Sequence, residues 1–181
     1  MLGNGGRTPP TDIIDNDSLG NVETSATTQF DPAQDGLDFL ESLEGMVVRI
    51  NNTRATGPRN SFGEIWVVGD DGANATGSNA RGGITLVERT AGVDYNPERI
   101  QLDDGLNGVT MPAGINTGDR LGDVTGVASY AFGNYELLLT AAPTVTAQPL
   151  PQGVRTIAVG GDRLSVGAYN VENLDPSDAT F

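Results

Sequence analysis

The apolar positions of this chain change period near residue 45. Before that point Leu37, Phe39, Leu40 and Leu43 recur at helical spacing, with Asp38, Glu41 and Glu44 between them. Asp31-Pro32 offers an N-cap followed by proline at the first helical position, and Gly45 closes the run. These signals predict a short amphipathic helix over 31–44 that covers one end of the following unit. After Gly45 the pattern alternates: Met46, Val48 and Ile50 face one way, Val47 and Arg49 the other. Further core strands are predicted at 63–69, 84–88, 124–130 and 135–140. The last two are joined by a hairpin turn at Phe132-Gly133-Asn134. A shorter apolar stretch, Ile100-Gln101-Leu102, lies between a turn at 96–99 and Asp103-Asp104-Gly105.

Five core strands over 45–142, a terminal hairpin and a capping helix predict a mainly β protein built as a small Greek-key barrel. An immunoglobulin-like sandwich would want about seven evenly spaced strands, and the two long loops at 51–60 and 70–82 break such spacing. The flanks read differently. Residues 1–30 are rich in Gly, Asn, Thr, Asp and Pro and predict an extended arm. Within it, Asp15-Asn16-Asp17-Ser18 has the beginning of a calcium loop without the later glycine or the closing glutamate, so it reads as an Asx turn. Residues 143–162 open with three prolines and predict a linker. Residues 163–181 predict one more buried strand, over 164–169, which runs straight into Asn170, Glu172, Asn173, Asp175 and Asp178. A strand ending in clustered amides and carboxylates can seat a metal or a phosphate.

Composition narrows the chemistry. The chain has 181 residues and neither Cys nor His. It therefore has no disulfide, no thiolate and no histidine general base, and any metal site of its own is built from oxygen and suits calcium or magnesium. All ten basic residues are Arg, against 24 acids, for a formal charge of −14. Such a field repels nucleic acid at long range and keeps a secreted protein soluble. No apolar run is long enough to span a bilayer, so no membrane partner is expected.

Binding candidates follow from the alternation. Trp66, the only Trp, shares a strand face with Glu64 and Val68, opposite Ile65 and Val67. If the latter pair fills the barrel, Trp66 points outward, where it either stacks on a base or packs under a loop or the helix. Arg49 on the first strand, Arg54 and Arg59 after it, and Arg81 in the second long loop offer planar forks for phosphate, or else pair with the many acids. Tyr130, Phe132 and Tyr135 cluster at the last hairpin and read as a cross-strand aromatic pair or core packing. Asp70-Asp71-Gly72 and Asp103-Asp104-Gly105 are acidic turns that could hold calcium, although turn chemistry alone accounts for both.

Leu43-Glu-Gly-Met-Val-Val-Arg-Ile50, Phe62-Gly-Glu-Ile65, Ile100-Gln-Leu-Asp-Asp104, Gly118-Asp-Arg120, Thr125-Gly-Val127 and Phe132-Gly-Asn-Tyr135 occur in an order that resembles the OB-fold domain of secreted bacterial nucleases, the YhcR-like group. Leu164-Ser-Val-Gly-Ala-Tyr-Asn-Val-Glu-Asn-Leu174 is similar to the opening strand of the endonuclease/exonuclease/phosphatase domain that follows it there. The resemblance covers roughly 37–178. It implies a five-stranded OB barrel and the incomplete start of an α/β nuclease domain. It also implies a secreted, monomeric protein whose complete form hydrolyses phosphodiesters with a divalent cation, Mg or Ca. Asn170 matches the asparagine that helps form the metal and phosphate site in that family. The metal-ligand Glu and catalytic His of the family have no counterpart here, so this chain is expected to be inactive alone. Its expected partners are DNA or RNA and a downstream nuclease domain. A spacer without nucleic-acid affinity and a carbohydrate-binding barrel are the alternatives.

Overall fold

The computed structural model describes residues 2–17, 28–89, 92–106 and 108–149. The linker beyond 149, the strand at 164–169 and Asn170 lie outside the described residues. Among the described residues seven strands and one α-helix are formed: α1 (Gly36–Glu41), β1 (Val47–Ala55), β2 (Ile65–Val68), β3 (Val87–Arg89), β4 (Gly92–Asp94), β5 (Ile100–Asp103), β6 (Arg120–Ala131) and β7 (Asn134–Leu139). The protein is mainly β, and five of the strands close a barrel in the order β1-β2-β5-β7-β6. All barrel pairs are antiparallel except β5 with β7.

The third barrel strand is not the predicted 84–88. Val87–Arg89 pairs with β4 in a separate two-stranded sheet. The barrel position belongs to Ile100–Asp103, whose Ile100 and Leu102 are buried beside Ile65 and Val67. Four residues between a proline turn and an acidic turn carry too little alternation to announce a central strand. Here the pairing on both edges decides.

Closure needs bending. β1 continues to Ala55 through Asn51-Asn52-Thr53, past its predicted end, and its register against β6 shifts between Ile50 and Thr53. Asn52 takes a left-handed conformation (φ 45°), which asparagine tolerates better than a branched residue, and its N–H donates to Asp123 at 2.8 Å. Thr53 can then be fully buried, because its hydroxyl donates to the Gly122 carbonyl at 2.8 Å.

Both rims are plugged. α1 brings Phe39 and Leu40 into the core, and Leu43 follows them from the next turn. At the opposite rim the β5–β6 loop contributes Met111 and Ile115. The helix is shorter than its predicted 31–44. Asp31-Pro32 opens a separate turn in which the Asp31 carbonyl accepts the N–H groups of Gln34 and Asp35, both at 3.0 Å. The N-cap is therefore Asp35. The N-terminal residues are seated as well: Leu2 is buried, and its N–H donates to Arg49 at 2.7 Å on the edge of β1 that β2 leaves open. Residues after β7 return to the barrel, where Thr146 exchanges two backbone hydrogen bonds with Arg120 (2.7 and 3.0 Å) and Val145 packs on the core. Among the described residues no helix is long and apolar enough to cross a membrane.

Candidate functional site

β2 alternates as its sequence requires. Ile65 and Val67 are fully buried inside the barrel, and Trp66 points outward, half-buried. Register places Trp66 beside Gln101, Gln101 beside Glu136 and Glu136 beside Ser129, one row across the outer face of β2, β5, β7 and β6. Two positions before Gln101, the guanidinium of Arg99 lies 4.8 Å from the centre of the Trp66 ring. This is a cation–π contact between a half-buried cation and the most electron-rich aromatic face. Burial lowers the Arg99 pKa, opposed by Glu98. Beside the stack a cleft of about 150 Å³ is lined by Trp66, Tyr95, Pro97, Arg99, Leu40 and Tyr135, among others.

The same face also carries acids. Glu136 is buried to 5% exposure, and its carboxyl is pushed up first by desolvation, then by Asp103 and Glu64. The cleft thus pairs a stacking ring and one cation with a carboxylate row a short step away. The last hairpin forms as its sequence predicts: Tyr130 and Tyr135 are register partners with ring centroids 4.9 Å apart. Phe132 and Gly133 both adopt positive φ (49° and 84°), the two-residue turn whose twist suits a hairpin. Phe132 does not join the expected packing: at the tip of the turn its ring is 98% exposed, while Tyr130 and Tyr135 form the aromatic pair without it. The Tyr135 hydroxyl donates to Glu41 at 2.7 Å, and its pKa rises far above the usual phenol value through burial first and that bond second.

The arginines singled out in the sequence separate. Arg49 is exposed on β1 and pairs with Asp123 at 2.5 Å. Arg54 is held by the Asp71 carbonyl and the Ser78 hydroxyl, each at 2.6 Å. It lines a second cleft, of about 260 Å³, with Arg81 and Arg120. Arg120 pairs with Asp71 at 2.5 Å, and that bond is the first cause of the lowered Asp71 pKa. Arg59 sits in the β1–β2 loop, its backbone N–H on the Ile115 carbonyl at 3.2 Å. The structure therefore brings Arg54 and Arg81 together with Arg120, and places Trp66 elsewhere with Arg99. Arg99 and Arg120 carry no local sequence signal that marks them as site residues. Arg99 stands three residues after Asn96 in what reads as a turn, and only the pairing of β2 with β5 reveals it as a neighbour of Trp66.

Carboxylates also meet below the surface. Asp94 is fully buried and Glu98 is 8% exposed. Thr76 links them: its hydroxyl bonds to Asp94, and its N–H donates to Glu98 at 2.8 Å. Burial raises the Glu98 pKa; its hydrogen bonds offset part of this and Asp94 adds to it. A carboxyl that holds its proton more tightly in the folded state loses stability as pH rises from the unfolded value, about 4.3, through the folded one. Glu98→Gln is therefore expected to raise the thermal midpoint at pH 7. The gain should shrink to nothing near pH 4, as read by thermal melts of both proteins across that range. An unchanged or larger gain at pH 4 would count against burial of the charge as the cause.

Asn170, assigned by resemblance to a metal and phosphate site, lies outside the described residues. Among the described residues the carboxylates that converge closely enough for a cation are Asp15, Asp17 and Asp35, not the acidic turns. Asp70 accepts the Asn4 N–H at 2.7 Å, and Asp104 accepts that of Met111 at 3.1 Å.

Against known proteins, residues 1–149 match the family model described as Domain of unknown function (DUF8508). No curated protein and no solved structure matches the chain.

Proposed function

We propose that this chain, which belongs to the DUF8508 family, is a non-catalytic OB-type barrel that binds single-stranded nucleic acid weakly and positions it for hydrolysis by a metal-dependent nuclease domain of the same secreted protein. The observation that carries the proposal is the Trp66–Arg99 stack on the outer face of the second barrel strand, beside a cleft that Trp66 shares with α1, the segment before β5 and the last hairpin. That face is where OB folds take oligonucleotides and oligosaccharides. The barrel order supports the reading. Counted along the chain, the strands close as 1-2-3-5-4 with strands 3 and 5 parallel, a Greek-key arrangement of the OB kind. The family resemblance, on motifs that fall largely on these strands and their turns, supports the rest. With no His in the chain, the role given to this module is to position nucleic acid, not to cut it.

Magnitudes set the affinity low. A base stacked on an aromatic ring contributes about 1–3 kcal/mol. A net charge of −14 and the row of Glu64, Asp103 and Glu136 oppose an approaching phosphate. Those carboxylates favour a second reading, a neutral oligosaccharide on the same ring, because sugars stack and hydrogen-bond without bringing charge.

One titration separates the readings. Labelled single-stranded DNA at low salt is expected to quench Trp66 fluorescence saturably, with weaker binding as salt rises and weaker again in Arg99→Ala. Quenching by neutral oligosaccharide but not by DNA would transfer the cleft to the sugar reading. Silence towards both at high protein concentration would leave a spacer and sink the proposal.

A further inference from the structure

We propose that Asp15, Asp17 and Asp35 form a calcium site that clamps the N-terminal arm to the cap of the barrel. The proposal is independent of whether the barrel binds nucleic acid. Asp35 is the N-cap of α1, a position where an aspartate ordinarily accepts a hydrogen bond from the first turn. Its side chain makes no such bond. It is 2% exposed, and its Oδ1 has no hydrogen-bond partner among the described residues. The charges that the described residues bring near it are all carboxylates: Asp38, Asp15, Asp17 and Asp31. A buried carboxylate surrounded by its own sign is costly unless a proton or a cation neutralises it, and a cation can serve several carboxylates at once.

The geometry suits that cation. One oxygen from each of the three aspartates lies within 4.8 Å of the others. Ligands bound at about 2.4 Å, the calcium distance, stand at most about 4.8 Å apart across the ion. The donors are all hard oxygen, and the chain offers no imidazole or thiolate to recruit a softer metal. Calcium accepts an irregular shell finished by water, whereas magnesium demands a tighter octahedron. Asp17 donates its N–H to Asp15 at 3.0 Å in the expected Asx turn, which fixes two of the ligands. The third arrives from about twenty residues on.

The same junction is already stitched by backbone. Gly36 and Leu37 donate to the carbonyls of Ile13 and Ile14, both at 3.0 Å. A cation bound next to these bonds joins residues 13–17 to α1 on its buried side. Calcium is thereby a structural ion that holds the arm against the barrel, and its removal exposes the repulsion among the aspartates.

The test is calorimetric titration of the chelator-treated 181-residue chain with calcium chloride, alongside thermal melts with and without millimolar calcium. One saturable site is expected. Asp35→Asn and Asp17→Asn should each weaken it about tenfold or more, since calcium affinity follows ligand charge. Glu44→Gln, which removes one exposed charge near the same helix, should leave the affinity unchanged. Calcium should raise the midpoint of the wild type by mass action and leave that of Asp35→Asn flat. Without calcium, Asp35→Asn should melt above the wild type, because it removes the buried repulsion. Absence of saturable binding, equal weakening by Glu44→Gln, or an equal calcium-induced rise in Asp35→Asn would each overturn the site.

Discussion

Replacing Phe39 with alanine is expected to cost about 3–5 kcal/mol, the range for emptying a fully packed aromatic site. In a domain of this size that corresponds to a fall of roughly 10–20 °C in the thermal midpoint. Phe39 is 2% exposed and plugs the rim where β1 begins, with Leu40 and Leu43 beside it. Its ring also carries the guanidinium of Arg7 4.8 Å from its centre. The variant therefore removes a core plug and an anchor of the arm together. Two measurements check this: urea unfolding for the total, and hydrogen exchange at the Leu2 amide, whose bond to Arg49 depends on the seated arm. A loss below about 1 kcal/mol would mean that the rim collapses over the cavity and that α1 does not plug the barrel.

The second large effect arises from one atom added to a strand. Gly126 lies in β6 opposite Leu139 of β7. A Cβ there would stand 2.4 Å from the Leu138 carbonyl oxygen and 2.7 Å from the Leu137 side chain. The nearest obstacle is backbone, which cannot rotate away, so the two strands must separate. Overpacking a tight core costs typically about 1–3 kcal/mol. Here the parting also loosens the ladder that joins β6 to β7, so Gly126→Ala is expected at or above the top of that range, with a midpoint lowered by roughly 10 °C. Gly122→Ala is the comparison. Its Cβ would meet nothing within 4 Å, but its φ of 68° strains any other residue, which costs about 1 kcal/mol or more. If melts placed Gly122→Ala below Gly126→Ala, backbone strain rather than strand contact would dominate in this barrel.

Much of the barrel was legible in the chain because alternation is a local property. Val48 and Ile50, Ile65 and Val67, and the hairpin from Tyr130 to Tyr135 all carry their facing in their spacing. The strand at Ile100–Asp103 is not legible as a barrel member, since four residues hold only two periods of alternation. Its place comes from pairing with β2 on one side and, in parallel, with β7 on the other. The helix was visible but overlong, because Asp31-Pro32 imitates a start that the chain uses for a turn. On the candidate site the outward direction of Trp66 followed from Ile65 and Val67. Its companion did not: Arg99 sits 33 positions away in sequence, and only the register of β2 against β5 brings it over the ring.

Composition sets the chemistry available: oxygen ligands, arginine cations, one indole, and no imidazole or thiol. The sequence by itself also determined which strand residues point inward, because side chains alternate along any extended chain. The tertiary structure alone decided which of those groups meet. Whether Asp35 joins Asp15 and Asp17, and whether Trp66 faces Arg99 or Arg54, depends on how the strands close and where the arm is laid. Such long-range choices are settled by the packing and pairing of the whole barrel, and no window of neighbouring residues contains them.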